Sequence, residues 1–150
     1  HDGALGTVPV CAALSLVLVA TLMTRQAMAP DPLGTGVQRT DAGYWVAMLT
    51  AGTLGTALGD GLADARGLPA AALIAAVAVG AASGLRARSL VGVVAGYWLL
   101  IVAIRTFGTN LGDLFAHRLS LEVSTPLTGA MLLLLLLVWR ERRPEIAQTA

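Results

Sequence analysis

Lysine is missing from the sequence, and charge of either sign is scarce. All ten basic residues are arginine, nine residues are acidic, and charged residues make up 13% of the 150. A water-exposed domain carries about 25% charged residues, so a soluble globule is excluded as the simplest reading. The net charge of +1 supplies no basic field for a polyanion, which excludes nucleic acid as a partner. The single cysteine, Cys11, rules out an internal disulfide and a cysteine metal cluster, and its place in an apolar run gives it a packing role. No His-Glu-x-x-His, no glycine-rich phosphate loop after a strand, and no serine spaced with a histidine and an acid are present, so no enzyme is expected. His1 is not preceded by a Met, and no signal-peptide pattern follows it; the expectation is that residues precede it.

What the sequence has is apolar length: 56% hydrophobic residues and a mean hydropathy of +0.75. A helix needs about 20 mostly apolar residues to cross a bilayer. That ruler predicts an all-α integral membrane bundle with about five spans, at 8–28, 43–63, 68–85, 90–116 and 126–139. Pro30, Asp31, Pro32, Gly34 and Gly36 mark the first loop. Residues 64–67 are a hairpin-length turn, and Pro126 suits the first position of the fifth helix.

Arginine sets the predicted orientation. Arg66 and Arg118 fall on the side of the N-terminus, whereas Arg25, Arg39, Arg86, Arg88, Arg140, Arg142 and Arg143 fall on the other. The tail 140–150 is therefore expected in the cytoplasm. Tyr44, Trp45, Tyr97 and Trp98 are expected as interfacial anchors on that side, where amphipathic rings settle.

Shifting the chain by 53 positions aligns Tyr44 and Trp45 with Tyr97 and Trp98, and the register holds through Thr53/Thr106, Gly55/Gly108, Thr56/Thr109, Leu58/Leu111, Gly59/Gly112, Asp60/Asp113 and Ala63/Ala116. Two copies are drawn, 43–89 and 90–139, each a motif-bearing helix followed by a plainer one. One helix lies between the motif helices, so the copies run in the same direction. These residues resemble bacterial multi-spanning membrane proteins assembled from a repeat of unknown function, with the signature Tyr-Trp…Thr-Thr-x-Gly-Glu-x-x-x-Asp. The resemblance covers residues 44–64 and 97–117. Asp60 and Asp113 stand where that family has Glu, Ala57 and Asn110 replace the second Thr, and His117 replaces the final Asp of the second copy. The resemblance implies a multi-pass architecture and gives weight to these positions without implying a reaction.

Residues four apart share a helix face. Gly52, Thr56, Asp60 and Asp64 form one polar stripe, and Arg105, Thr109, Asp113 and His117 form its counterpart, with Asn110 adjacent. Beside them run the small-residue stripes Gly55, Gly59 and Ala63, then Gly108, Gly112 and Ala116, which let helix backbones approach closely. The expected arrangement packs the second and fourth spans through these faces, with Asp60 close to Asp113. Asp60 and Asp113 lie about 24 Å beyond the aromatic pairs at helical rise, and Arg105 about 12 Å beyond Tyr97, near mid-membrane.

Charges inside hydrocarbon cost about 2.5 to 3.5 kcal/mol each on insertion scales, and they normally pair or serve function. Three uses stay open. Asp60, Asp64, Asp113 and His117 form a proton relay or hold a divalent ion such as Mn or Zn, with Asp60, Asp113 and His117 as its ligands. Alternatively Arg105 neutralises Asp60 or Asp113, while Asp64 and His117 cap helix ends and Thr56, Thr109 and Asn110 bond between helices. In the third, Arg105 holds the anion of an organic ion or lipid headgroup. The protein is then a cation- or proton-handling transporter or transporter component, or else an accessory subunit of a larger membrane complex or homo-oligomer embedded in the lipid bilayer.

Overall fold

A computed structural model describes residues 2–28 and 40–148. The loop carrying Pro30 to Gly36, Arg39, His1 and the side chains of Arg140, Arg142 and Arg143 lie outside the described residues. Five helices follow one another: α1 (Asp2–Met28), α2 (Ala42–Arg66), α3 (Leu68–Ala87), α4 (Val93–Leu119) and α5 (Leu121–Gln148). Among the described residues there is no strand. The chain divides into two compact units, His1–Leu111 and Gly112–Ala150.

Local chemistry sets the helix ends. Asp41 is the N-cap of α2, and its carboxylate accepts from the Tyr44 backbone N–H at 2.8 Å. The same carboxylate meets the Arg25 guanidinium at 3.2 Å. Arg25 lies 5.8 Å from the centre of the Tyr44 ring, so one arginine of α1 clamps the start of α2. Gly67 separates α2 from α3 with φ +79°, a left-handed conformation open to glycine, and its N–H closes the last turn on the Ala63 carbonyl at 2.8 Å. Ser120, at φ 66°, is the one residue between α4 and α5.

Four helical stretches are long and apolar enough to cross a membrane: Gly6–Ala27, Leu68–Ala87, Val93–Leu119 and Leu121–Trp139. α2 is not among them, although it is a helix over Ala42–Arg66, where the second span is expected at 43–63. The physical reason is its position. Ala47, Ala51, Gly52, Leu54, Gly55 and Gly59 of α2 are all buried. The face of α2 that meets its neighbours carries small residues for close approach, while Trp45, Val46 and Leu49 on its other face are exposed. The apolar run of α5 shows the opposite pattern. Each leucine of 132–137 is exposed by 49% or more, an all-round apolar surface that suits hydrocarbon and not water.

The fifth helix also starts earlier than its Pro126 suggested. α5 begins at Leu121, with Glu122 in the first turn, so Pro126 lies inside it. Proline there removes one backbone bond. The hydroxyl of Thr128 donates nearby to the Ser124 and Thr125 carbonyls at 2.8 and 3.0 Å, the kind of local side-chain bonding that accompanies proline in membrane helices. The helix runs on to Gln148 instead of ending with the apolar stretch.

The core of the first unit is Leu18, Ala47, Ala51, Leu54 and Trp98, from α1, α2 and α4, with Cys11, Leu14 and Val102 packed partly buried against it. Cys11 is a free thiol in that packing. α1 runs antiparallel to α2: Arg25 lies against Gly43, and Thr7 against Gly61.

Candidate site at the α2 and α4 seam

The glycines of α2 make the seam possible. A methyl placed on Gly55 would lie 2.5 Å from Cβ of Arg105, 3.0 Å from the Val102 carbonyl and 3.2 Å from the Thr106 nitrogen. One turn later, a methyl on Gly59 would lie 3.1 Å from Cβ of Thr109 and 3.2 Å from the Asn110 amide nitrogen. One turn earlier, a methyl on Gly52 would lie 3.3 Å from Nη2 of Arg105. Contacts ascend together along both helices, so α2 and α4 are parallel. Gly55 and Gly59 thus occupy the contact as expected. Gly108 and Gly112 do not: a methyl on either would have nothing within 4 Å. The face that α4 turns to α2 carries Val102, Arg105, Thr106, Thr109 and Asn110 in place of its own small-residue stripe.

The aromatic pairs separate into different roles. The Tyr44 and Tyr97 hydroxyls, 53 residues apart, lie 3.1 Å from each other in a hydrogen bond. Trp45 is 58% exposed, as an anchor would be, whereas Trp98 is 2% exposed inside the core, its ring 5.8 Å from that of Tyr44. The expectation of four interfacial anchors is corrected at Trp98, because α4 faces inward at that position and the equivalent position of α2 faces outward. Replacing either tyrosine by phenylalanine should lower stability by about 1 kcal/mol. A double-mutant cycle on unfolding in detergent should show the two losses to be coupled, and strict additivity would count against the bond.

Arg105 and the hydroxyl-bearing face of α2 make the most distinctive feature. A groove of about 340 Å³ is lined by Leu49, Gly52, Thr53, Thr56 and Arg105. Among the described residues Arg105 makes no ion pair, so the expected neutralisation of this arginine by Asp60 is not found. Thr53 donates to the Leu49 carbonyl at 2.9 Å and Thr56 to the Gly52 carbonyl at 3.2 Å. Thr109 likewise donates to the Arg105 carbonyl at 3.1 Å, so these hydroxyls bond within their own helices. Asn110 is fully buried; its amide donates to the Thr106 carbonyl at 3.0 Å, and its Oδ1 accepts no hydrogen bond among the described residues.

The acidic groups lie elsewhere. Asp60 and Asp64 are exposed on the last turns of α2, and neither lines the groove. Asp113 and His117 are exposed on the part of α4 that belongs to the second unit. Among the described residues no three His, Cys, Asp or Glu side chains come together to hold a metal ion. The sequence reading passed over Leu49 and Thr53 as site residues. Their spacing with Gly52 and Thr56, on one helical face, was the available signal.

The stretch from α4 into α5 matches a known repeat. Residues 96–143 fit the family model described as Repeat of Unknown Function (DUF347). The match accords with a family built on a repeat of unknown function and covers less than half of the chain. It takes in Tyr97, Arg105, Asn110 and Asp113, so the arginine of the groove falls inside the DUF347 repeat. Comparison with curated proteins and with solved structures finds no match.

Proposed function

We propose that this chain is a multi-pass protein of the bacterial cytoplasmic membrane, with its C-terminal tail in the cytoplasm, that works as a transporter or a transporter component and not as an enzyme. In this reading 43–89 and 90–139 are two parallel copies of one helix pair, and the seam between their first helices is the polar path. The observation that carries it is Arg105, a cation in the middle of an apolar helix, lining a groove and making no ion pair among the described residues. An unneutralised charge at membrane depth is retained for a ligand or a moving charge. The two copies are supported by the Tyr44 and Tyr97 contact at equivalent positions and by a repeat match that begins in α4. Asp60, Asp64, Asp113 and His117 supply titratable groups toward the far end of these helices, suited to a proton or a divalent cation.

The test is proton flux in proteoliposomes holding the full chain and a trapped pH dye. Flux should exceed that of empty vesicles and fall about tenfold or more in the Asp60→Asn, Asp113→Asn double variant, which should keep its helical spectrum. A folded double variant with wild-type flux would sink this reading.

A second reading, an accessory subunit of a larger complex or a homo-oligomer, is favoured by the open small-residue face at Gly108 and Gly112, where another helix has room to approach. Copurification with other chains at fixed stoichiometry after mild solubilisation would support it, and isolation as a lone monomer would count against it.

A further inference from the structure

The side chain of Arg105 is laid along the glycine track of α2. Its Cβ sits over Gly55, and its Nη2 reaches back one turn to Gly52, the direction in which helical side chains lean. The guanidinium therefore arrives at the groove wall formed by Leu49, Gly52, Thr53 and Thr56. The hydroxyl protons of Thr53 and Thr56 are already given to the Leu49 and Gly52 carbonyls. What these threonines still offer a ligand is acceptor oxygen, whereas arginine offers only donors. The groove thus shows a cationic fork beside two acceptors that lie about one turn apart.

We propose that this groove binds a phosphate group that carries a hydroxyl or ammonium donor next to it, the phosphate on Arg105 and the neighbouring donor on Thr53 and Thr56. The proposal rests on the reading of the α2 and α4 seam as a solute path and names the chemistry that the path receives. Arginine meets phosphate oxygens two at a time through its planar fork. The groove is open along α2, so a phosphate and the group beside it can lie across Arg105 and both threonines, and the pairing of donors with acceptors sets the preference. Two sources carry this chemistry: a phospholipid headgroup entering from the bilayer, and a small phosphoester in solution.

The experiment uses the full chain purified in detergent, with dihexanoyl phosphatidylglycerol and sn-glycerol 3-phosphate as probes and dihexanoyl phosphatidylcholine, which has a phosphate but no neighbouring donor, as the comparison. Wild-type protein should bind phosphatidylglycerol or glycerol phosphate in a titration calorimeter. Binding of the lipid alone assigns the headgroup, and competition by glycerol phosphate assigns the solute. Arg105→Gln should weaken the bound probe about tenfold or more, with Arg105→Lys intermediate. Thr53→Val with Thr56→Val, at exposed positions whose loss leaves the seam packed, should erase the preference for phosphatidylglycerol over phosphatidylcholine. Wild-type protein that binds neither donor-bearing probe, or folded Arg105→Gln protein that binds them as wild type does, overturns the proposal. The threonine variant does so as well if the preference survives in it. Proton flux through the wild-type chain is read separately, so flux without phosphate binding would reject the ligand and leave the transport reading standing.

Discussion

Gly55→Leu is expected to force α2 and α4 apart and to lower stability in detergent by about 3 kcal/mol, at the upper end of what overpacking costs. The first atom added already decides it. Even a methyl at position 55 would lie 2.5 Å from Cβ of Arg105 and within 3.2 Å of two backbone atoms of α4. None of these is the far end of a flexible side chain, so no rotamer change relieves the overlap and a helix has to move. Gly55→Ala should be destabilising as well, although alanine in a helix gains about 1 kcal/mol over glycine. Gly108→Ala is the internal control: it meets nothing within 4 Å and should keep the propensity gain. The check is the free energy of unfolding by a denaturing detergent, compared across the three variants. If Gly55→Ala is as stable as Gly108→Ala, the close seam is wrong. Because Cβ of Arg105 is the nearest atom, Gly55→Leu should also displace the guanidinium and abolish phosphate binding.

Trp98→Ala is the second large effect, expected at about 3 kcal/mol in the same assay. The ring is 2% exposed among Leu18, Ala47, Ala51 and Leu54, and its edge meets the Tyr97 ring with centroids 5.2 Å apart. Alanine would leave a cavity among residues too small to collapse into it. The loss falls at the low end of the range for tryptophan because lipid, not water, solvates the chain once helices separate. Trp98→Phe should cost much less, since the indole Nε1–H is buried without a hydrogen bond among the described residues and removing an unmet donor returns part of the loss. Trp45→Ala, at 58% exposure, should change stability by less than about 1 kcal/mol. Equal losses at Trp45 and Trp98 would contradict the assignment of one ring to the core.

Which of these features were legible in the sequence follows from what periodicity encodes. Long apolar runs located α1, α3, α4 and α5, because bilayer thickness fixes a length that composition alone reveals, and the more mixed run at 43–63 fell on α2. Counting from Tyr97 placed Arg105 well inside its helix, and α4 carries it there. The face each helix turns to its neighbour was not legible. Two faces of α4 qualified, the glycine stripe and the polar stripe, and matching residues at a spacing of 53 established equivalence without saying which equivalent residues touch. Contact is decided by volume: Gly52 leaves room that its counterpart Arg105 fills, so the two halves of the seam carry different contents. Trp98 was misread for the same reason. Interfacial tryptophan and core tryptophan look alike in sequence, and the difference arises only from the rotation of α4 about its axis. The groove was not legible because its α2 wall is a leucine, a glycine and two threonines, residues whose chemistry is ordinary until an arginine from another helix is laid across them.

The single residue between α2 and α3 bears on how this protein is made. Arg66 ends one helix and Leu68 begins the next, so the two cannot enter a bilayer at separate moments with slack chain between them. α2, whose glycines, threonines and aspartates keep it outside the set of fully apolar helices, is tethered to α3, whose mean hydropathy is 2.0. The pair must be delivered during synthesis as one hairpin, with the stronger segment drawing in the weaker. A helix built for contact with its neighbours can therefore afford residues that would not carry it into lipid by itself.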